Sequence, residues 1–332
     1  MRSGAQQAAV ATGAPPPLTA SLGLMRIVAL AGGTGAAKLL RGLDALVPPG
    51  TLTIIGNTGD DALIWGLHVS PDLDTVCYTL GGWIDEDRGW GLRSESFRTL
   101  DEMVRYGEPT WFNLGDRDLA THLHRTRLLD EGRTLTEVTA KIARDLGVNH
   151  PILPMSDQAV RTRVLGPDGW LSFQEYFVRE KTQVEVTEVD YAGAPAAAAA
   201  PGVVAAITAA DAVIVCPSNP ITSIGPILAV PGIAHALEAT DATIVAVSPI
   251  IGGRAVSGPA GRLMAACGLE VSAVGVASAY APWLDILLAD AEDATLVSRL
   301  ESAGIRPIVT DTVMRGRDGE IGLARRTLEA LA

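Results

Sequence analysis

Short apolar runs alternate with segments of helical periodicity along most of the chain. The run Ile27–Ala31 stops at a glycine cluster, and the leucines of the next segment recur at the spacing of an amphipathic helix. Comparable runs follow at Leu52–Ile55, Ala212–Cys216, Thr243–Val247, Val271–Ala277 and Pro307–Val309, before a final helix expected around Glu320–Leu331. Strands buried on both faces and joined by helices are typical of parallel sheets. The pattern therefore predicts an α/β fold: a Rossmann-like, mostly parallel sheet with helices on both faces.

The middle of the chain has a different pattern. Thr134 and Glu137 have the spacing of a capping box, and apolar residues then recur at intervals of three and four, which predicts a helix. The runs Val160–Val164 and Trp170–Val178 flank a Gly-Pro-Asp-Gly sequence and predict a hairpin. The predicted organisation is a disordered extension at residues 1–24, a Rossmann-like core at 25–80 and 191–332, and a smaller mixed helical and hairpin insertion at 81–190.

Composition and charge narrow the classes of function. Lys and Arg number 26 against 38 Asp and Glu, a net charge of −12, which disfavours nucleic acid and anionic membrane as partners. No apolar run is long enough to span a bilayer. The three cysteines are odd in number and far apart, which excludes a disulfide framework and favours a reducing compartment. We therefore expect a soluble cytoplasmic protein.

The first glycine cluster is a candidate phosphate site. Gly32, Gly33, Thr34 and Gly35 precede a helix whose free N–H groups favour an anion, and Lys38 adds a positive charge. The cluster lacks the third glycine of the dinucleotide fingerprint, which argues against a nicotinamide dehydrogenase, and it does not match a Walker A loop. A plain strand-to-helix turn is the alternative interpretation.

Carboxylates are concentrated after the second apolar run. Following Asn57, the aspartates Asp60, Asp61, Asp72 and Asp74 fall within fifteen positions. Adjacent anions beside a phosphate repel each other, so we expect a divalent cation, and magnesium takes one or two carboxylates together with phosphate oxygens and water. We predict Asp60 and Asp61 as its ligands. Hydrogen bonding to substrate hydroxyls or ring nitrogens, and a solvated acidic turn, are the alternatives.

Neutral polar residues follow two of the later runs. Ser218 and Asn219 follow Ala212–Cys216 after one proline, and a second group occupies Ser248–Gly253. The carboxyl ends of parallel strands form one edge, where such sheets bind ligands. These groups suit the recognition of a base edge or a phosphate, with ordinary turn chemistry as the alternative.

One arginine of the insertion has a distinctive setting. Arg117 lies between Asp116 and Asp118 in the sequence, which predicts an oriented cation able to contact an anion or a heteroaromatic ring. Alternatively, Asp116 or Asp118 caps the helix that follows, and Arg117 pairs locally. His122 and His124, two positions apart, do not share a helical face, so we expect no metal there.

A resemblance to a known family rests on several ordered blocks between Met25 and Asp293. The blocks include GGTGAAKLL, NTGDDALIWGLHVSPDLDTVCYTLGG, WFNLGDRDLATH, PSNPITSIGPILAVPGI, SPIIGG and SGPAGRLM. In these blocks the chain resembles the 2-phospho-L-lactate transferases of coenzyme F-420 biosynthesis, in particular their actinobacterial phosphoenolpyruvate-using members. The resemblance implies transfer of a phosphoenolpyruvyl or phospholactyl group from a guanosine-diphosphate-linked donor to the terminal ribityl hydroxyl of the deazaflavin Fo, with release of GMP. It also implies magnesium and a homodimer.

The resemblance assigns roles by motif. Asp74 in PDLDT and Arg117 in GDRD match deazaflavin-binding positions, with Asp116 beside them, and we expect Asp74 to orient the ribityl hydroxyl and accept its proton. The predicted guanosine-diphosphate side, placed by strand-end position, consists of the glycine loop, Lys38, Asn57, Ser218 and Asn219. The acyl part of the donor stays open among enolpyruvate, lactate and glycerate. A non-catalytic nucleotide-sugar-binding regulator on a related fold is the alternative, although the regulators of this kind lack PDLDT and GDRD.

Overall fold

The computed structural model describes residues 25–331, so the extension predicted at residues 1–24 lies outside the described part of the chain. In chain order, the strands of the described part are β1 (Ile27–Ala31), β2 (Leu52–Gly56), β3 (Ala62–Ile64), β4 (Leu67–Val69), β5 (Ile152–Pro154), β6 (Arg161–Gly166), β7 (Gly169–Ser172), β8 (Glu188–Ala192), β9 (Ala212–Val215), β10 (Thr243–Val247), β11 (Ile250–Ile251), β12 (Arg254–Ala255), β13 (Ile286–Asp290) and β14 (Arg306–Thr310). The α-helices are α1 (Gly33–Asp44), α2 (Pro71–Leu80), α3 (Arg98–Arg105), α4 (Asp116–Asp130), α5 (Leu135–Asp145), α6 (Val203–Ala209), α7 (Gly225–Ala229), α8 (Ile233–Ala239), α9 (Ala260–Ala266), α10 (Ala273–Tyr280), α11 (Val297–Ser302) and α12 (Gly316–Glu329).

One parallel sheet of seven strands forms the centre of the molecule, in the order β14-β13-β10-β9-β1-β2-β5. From β1 the chain passes to β2 on one side and later returns to β9 on the other, which makes the carboxyl end of β1 a topological switch point. Ligands bind sheets of this kind in the crevice at such a point.

Helices cover both faces of the sheet, which confirms the predicted fold class. Side chains of β1 alternate between two cores with the period of two that a strand imposes. Val28 and Leu30 share one core with Ile233 on α8, whereas Ile27 and Ala29 share the other with α1 and α12. Because every residue of β1 is buried, its sequence is a continuous apolar run.

The local predictions for the insertion agree with the structure at their centres. Thr134 and Glu137 form both hydrogen bonds of a capping box at the start of α5. The predicted hairpin is the pair β6 and β7, and β8 adds a third antiparallel strand. The run Trp170–Val178 is a strand only to Ser172, because its second half turns into the π-helical segment Glu175–Arg179.

Three apolar segments differ from the prediction. Val271–Ala277 was expected as a strand, but Ser272 caps α10 by accepting a hydrogen bond from the Gly275 N–H at 3.2 Å, so most of the segment is helical. Conversely, β13 was missed although it is fully buried within the sheet. The edge strand β5 lies inside the segment predicted as the insertion and pairs with β2, so that segment contributes a strand to the core sheet.

No single helix in residues 25–331 has both the length and the apolar composition to cross a membrane. One pair, Pro220–Ala229 and Ile233–Ala239, meets those criteria only when its members are taken together, and they are bent by 87° at the break between them.

Candidate functional site

The carboxyl end of β1 brings together loops that are distant in the sequence. The Gly32 N–H donates a hydrogen bond to Ser218 Oγ at 3.3 Å, which joins the loop after β1 to the loop after β9. The Asn57 amide, after β2, donates to the Thr222 carbonyl at 3.1 Å and reaches the same place from the other side. The glycine loop, Asn57 and Ser218, predicted as one site, therefore meet at the switch point.

Close packing inside the protein explains the glycines of this loop. A Cβ at Gly32 would lie 2.6 Å from Asp72 Oδ2, and a Cβ at Gly35 would lie 2.4 Å from the Pro217 carbonyl oxygen. Gly33 has a φ of +74°, in the left-handed region that favours glycine. Larger residues would push apart the β1 loop, α2 and the β9 loop, so the glycines are required even before a ligand is considered.

Asp72 is the carboxylate closest to the glycine loop. It accepts a hydrogen bond from the Asn57 side-chain amide at 2.8 Å, and the nearby Gly33 N–H also acts to lower its pKa. It also lies in the first turn of α2, where a negative charge is favoured by the helix dipole. The Asn57 carboxamide oxygen accepts from the Gly59 N–H at 2.8 Å, so both ends of this side chain are used inside the protein. Asn57 thus positions Asp72 and the acidic loop.

The first turn of α1 retains donors for an anion. Its first N–H groups have no partner within the helix, and Thr34 and Lys38 are exposed. Asn219 is different, because its side-chain oxygen caps the π-helical segment Pro220–Ile224 by accepting from two backbone N–H groups. The residues predicted to bind the guanosine-diphosphate part of the donor therefore fall into two groups. Thr34 and Lys38 are exposed, whereas Asn219 holds its own loop in place.

Three buried carboxylates lie at this edge with raised pKa values. Burial, and then the charge of Asp72, raise the pKa of Asp60 well above its ordinary value. Burial raises the pKa of Asp61 to about 7, against the opposing effect of the Arg161 and Arg125 charges. Burial likewise raises the pKa of Asp72 to about 6, although its hydrogen bonds lower it. Each of these groups therefore keeps its proton to a higher pH than an ordinary aspartate does.

The same carboxylates have free oxygen atoms. Within the described residues, Asp60 Oδ1 and Asp61 Oδ1 are buried without a hydrogen-bond partner, whereas Ser70 donates to the other oxygen of Asp61 at 2.9 Å. No three His, Cys, Asp or Glu side chains of residues 25–331 converge as a complete metal site. Magnesium needs only one or two carboxylates when phosphate oxygens and water supply the rest. The two free oxygens therefore fit a cation that arrives with a phosphate ligand.

The hairpin of the insertion packs against the carboxyl edge of the central sheet. The Thr162 N–H on β6 donates to the Gly59 carbonyl at 2.8 Å, and Arg161 beside it is close enough to lower the pKa of Asp61. The Thr162 and Thr58 hydroxyls are buried and, among the described residues, have no partner. Sequence reasoning missed Arg161 and Thr162, because no local pattern shows that a hairpin of the insertion docks on the loop after β2.

Asp74 lies two residues from Asp72 but in a different environment. Arg125 on α4 bonds both of its oxygens, one of them at 3.0 Å, and both side chains are buried. Although burial opposes the charge of Arg125, the ion pair raises the pKa of the guanidinium. Asp74 is thus an ion-paired carboxylate that fastens α2 to α4, which argues against the predicted role of free proton acceptor.

Further polar side chains extend this contact. Tyr78 donates to Asp118 Oδ1 at 2.6 Å, and His122 Nε2 lies 3.2 Å from the other oxygen of Asp118. Burial raises the pKa of Asp118, but the close approach of His122 and the hydrogen bond from Tyr78 outweigh it and leave the pKa lowered. Sequence reasoning missed Arg125, although Asp118, His122 and Arg125 follow the i, i+4, i+7 spacing of one helical face.

Asp116 and Glu95 form a reciprocal pair of helix caps. Asp116 accepts from the Ser96 hydroxyl at 2.6 Å and the Thr99 N–H at 2.9 Å, so it caps α3, and these bonds lower its pKa. Glu95 accepts from the backbone N–H groups of Arg117 and Asp118 and caps α4. The expectation that Asp116 or Asp118 caps the helix that follows is therefore wrong, because Glu95 caps α4 and Asp116 caps the preceding helix α3.

Arg117 bonds neither of the aspartates beside it. Its guanidinium donates to the Arg93 carbonyl and lies 5.8 Å from the centre of the Trp83 ring. Contacts between α2 and α4 pair Asp74 with Arg125 and, one turn further along α2, Tyr78 with Asp118. The two helices are antiparallel, so Arg117 lies at the opposite end of this contact from Asp74.

Several known proteins are similar to this chain. The family model described as "2-phospho-L-lactate transferase CofD" matches residues 27–325. A phosphoenolpyruvate transferase of Streptomyces griseus is 45% identical over 92% of this chain and 98% of its own length. A 2-phospho-L-lactate transferase of Methanosarcina acetivorans is 43% identical over 90% of this chain and 96% of its own.

A crystal structure of a UPF0052 family protein from Bacillus halodurans has the same fold, with a TM-score of 0.62 at 17% identity over 91% of this chain and 98% of that one. The likeness to that structure shows the fold. The family model and the curated relatives show the family. The chain therefore belongs to the 2-phospho-L-lactate transferase CofD family, a family of transferases in coenzyme F-420 biosynthesis.

Proposed function

We propose that the protein transfers a phosphoenolpyruvyl or 2-phospholactyl group from a guanosine-diphosphate-linked donor to the ribityl hydroxyl of the deazaflavin Fo, with release of GMP. The observation that carries this proposal is the meeting of a helix N-terminus with three buried carboxylates of raised pKa at the switch point of the sheet. Family membership and the names of the curated relatives support the same chemistry.

The donor diphosphate is proposed to bind at the first turn of α1. Backbone N–H groups of Thr34 and Gly35 and the Lys38 ammonium provide positive potential there. Ser218, Asn57 and Asn219 hold the surrounding loops, as their hydrogen bonds within the protein indicate. We place the guanosine along the edge formed by the loops after β9 and β10, where neutral donors and acceptors follow the strands.

Magnesium is proposed to bind the free oxygens of Asp60 and Asp61 together with phosphate oxygens of the donor. When bound, the cation would neutralise negative charge on the transferred phosphoryl group. The side chains of Asp60 and Asp61 would hold it, and the ordered loop through Asn57 and Gly59 keeps these carboxylates at the edge.

Asp72 replaces Asp74 as our proposed acceptor of the hydroxyl proton. Its oxygens lie against the glycine loop, and its pKa of about 6 suits a general base near neutral pH. Attack by the hydroxyl on the distal phosphorus would then expel GMP in line, mainly through positioning and electrostatic stabilisation. Asp74 contributes by fixing α2 through Arg125, and we keep Arg117 as an acceptor-binding residue, with Asp116 stabilising its surroundings.

The direct test combines the protein with Fo, magnesium and an enolpyruvyl or lactyl donor, and measures GMP release and the phosphorylated deazaflavin by chromatography. Release of GMP that requires Fo is expected, and the donor with the higher kcat/KM identifies the acyl group. Asp72→Asn should bind the donor but release little GMP. Binding of donor without any release by the unaltered protein would instead favour the regulator.

The quaternary structure and the location are further proposals. We propose a homodimer in the cytoplasm, as the family resemblance suggests. Sedimentation equilibrium at micromolar concentration would give twice the chain mass of 34.6 kDa for the dimer. A single-chain mass over that range would contradict it.

A further inference from the structure

The guanidinium of Arg161, at the start of β6, contacts backbone atoms rather than a carboxylate. It donates to the Val160 carbonyl at 2.9 Å and to the Thr58 carbonyl, in the loop after β2, at 3.5 Å. Within residues 25–331, no carboxylate forms an ion pair with it. The charge of this half-buried side chain is therefore not used in a direct ion pair inside the described part of the protein.

Two other arginines near this edge are already paired. Arg125 bonds both oxygens of Asp74. Arg163, two positions along β6 and therefore on the same face of the strand as Arg161, is paired with Asp190. Of these three arginines, Arg161 is the one whose charge is free to meet a ligand.

The charge of Arg161 acts on the loop that holds the proposed magnesium ligands. Burial raises the pKa of Asp61, and the charge of Arg161 opposes that effect. Burial, and then the charge of Arg161, lower the pKa of His68. Asp61 Oδ1 and the Thr58 hydroxyl are buried and, in the part of the chain that the structure describes, have no hydrogen-bond partner. The guanidinium therefore lies beside a loop with unused polar atoms.

The carboxylates of this loop do not exclude an anion once a cation is bound. Asp61 alone partly balances the charge of Arg161, as the effect on its pKa shows. The proposed magnesium on Asp60 and Asp61 would compensate these carboxylates and place a second cation near the guanidinium. Neighbouring positive charges repel each other, so an anionic group of the ligand that reaches both is favoured.

The proposed donor carries such an anionic group next to its distal phosphate. Enolpyruvyl, lactyl and glyceryl groups all have a carboxylate on the carbon that is bonded to the phosphate ester oxygen. This carboxylate must therefore lie close to any cation that binds the distal phosphate. A planar guanidinium binds a carboxylate through two parallel N–H bonds. The chemistry of the acyl group thus matches the unpaired arginine.

We propose that Arg161 binds the carboxylate of the donor's acyl group and is a specificity-determining residue for donors that carry one. This inference rests on the proposed function, from which it takes the donor and the cation. Beyond that function, it names the residue that recognises the part of the donor that GDP lacks. No sequence motif assigned Arg161 to the site.

Calorimetric titration of the full-length protein with magnesium, but without Fo, measures donor binding apart from turnover. Two esters of GDP are compared: the lactyl ester, and the isopropyl ester in which a methyl group replaces the carboxylate. We expect the unaltered protein to bind the lactyl ester at least about tenfold more tightly, the typical contribution of a charge-assisted hydrogen bond. The enolpyruvyl and isopropenyl esters form the corresponding pair for the unsaturated donor.

The preference for the carboxylate should depend on Arg161. In Arg161→Met the two esters should bind equally. Arg161→Lys should keep part of the preference, because an ammonium retains the charge but not the bidentate geometry. In turnover, Arg161→Met should raise KM for the donor and leave kcat almost unchanged, as expected for binding that is equal in ground and transition states.

Arg163→Met is the matched control on the same face of the same strand, because Arg163 is already paired with Asp190. It should keep the full preference for the lactyl ester. GDP has no acyl group, so its affinity should be the same in all variants, and it also reports on their fold. If Arg161→Met weakened GDP and both esters alike, the role of Arg161 would be general and the inference would be wrong.

The remaining outcomes separate this inference from the proposed function. Fo-dependent GMP release together with an undiminished preference for the lactyl ester in Arg161→Met would overturn the inference alone. A preference that depends on Arg161, without GMP release by the unaltered protein, would support the inference and overturn the proposed transfer. Absence of binding of GDP and of every ester to the unaltered protein would overturn both.

Discussion

Asp72 and Asp74 are two residues apart on one helix and differ in nearly every physical property. Asp72 lies at the carboxyl edge of the sheet, bonded to neutral groups, with a raised pKa. Asp74 lies in the contact between α2 and α4, where Arg125 engages both of its oxygens. Both lie in the first turn of α2, but two positions are about 200° apart around a helix, so opposite sides of one turn supply the two regions. The carboxylate without a counter-ion, Asp72, lies at the reactive edge of the sheet. The ion-paired carboxylate, Asp74, holds α2 and α4 together.

The largest expected effect is on stability and comes from breaking the ion pair between Asp74 and Arg125. Arg125→Met leaves the buried Asp74 carboxylate without a counter-ion, which typically costs about 3–5 kcal/mol in the free energy of unfolding. Urea denaturation would measure the loss. The double variant Asp74→Leu/Arg125→Met removes both charges and should recover most of it.

Arg127→Met is the matched control on the same helix, because Arg127 is paired with Glu131 but its side chain is 58% exposed. Its effect should be under about 1 kcal/mol, as for surface ion pairs. Equal losses for Arg125→Met and Arg127→Met would contradict the distinction between the two ion pairs.

The next largest effect is on catalytic activity, and it distinguishes Asp72 from Asp74. Asp72→Asn should lower kcat by roughly 10²–10⁴, the usual contribution of a general base, while the fold persists because an amide can still accept from Asn57. Asp74→Asn should chiefly destabilise the protein. Steady-state kinetics and thermal unfolding of the two variants, side by side, make the measurement. If Asp74→Asn folded normally and lost turnover while Asp72→Asn kept it, the roles would be reversed.

The buried carboxylates at the carboxyl edge of the sheet should also make the free energy of unfolding depend on pH. A carboxylate with a raised pKa binds its proton more tightly in the folded than in the unfolded state. The folded protein therefore holds the extra proton between the ordinary pKa of 3.8 and the pKa of about 7 at Asp61. The free energy of unfolding consequently falls as pH rises through this window, by at most roughly 1.4 kcal/mol per pH unit for each such group.

Asp61→Asn should reduce this slope and leave the variant more stable than the unaltered protein above pH 7. Urea denaturation with a metal chelator at several pH values would show it. Asp168→Asn, at an exposed turn, is the control and should leave the slope unchanged. A slope that is the same in all three proteins would exclude Asp61 as its source.

The smallest expected effect is at Tyr78, which lies in the contact between α2 and α4. Tyr78→Phe removes the hydrogen bond to Asp118, with an expected loss of about 1 kcal/mol. Tyr106→Phe, at a residue that is 79% exposed, should have no measurable effect on thermal unfolding. An unchanged melting temperature of Tyr78→Phe would show that its hydrogen bond to Asp118 does not contribute to stability.

Much of the fold could be predicted because its signals are local. Burial on both faces makes β1, β2, β9 and β10 continuous apolar runs, and the capping box of α5 lies within four residues. The apolar segment 271–277 misled the same reasoning, since a buried helix and a buried strand have similar composition. Cap geometry at Ser272 settles that segment in favour of the helix.

The candidate site could be predicted only in part. The glycine loop, Asn57, Asp60, Asp61 and Ser218 were found because parallel strands bring their following loops to one edge. The partners of those residues were not predictable: Arg125 lies 51 positions from Asp74, and Arg161 approaches Asp61 from a different sheet. Arg117, which the resemblance assigns to the same ligand as Asp74, lies at the other end of the contact between α2 and α4, and its role as an acceptor-binding residue stays a prediction.

What the amino-acid sequence determined by itself is the set of elements, the class of fold and the family, because periodicity and ordered motifs are properties of the linear chain. What only the tertiary structure decided is which charges are compensated. Asp72 and Asp74 belong to one short sequence motif. Their different environments arise from long-range packing, which sets burial and ion pairing and thereby the free energy of each charge.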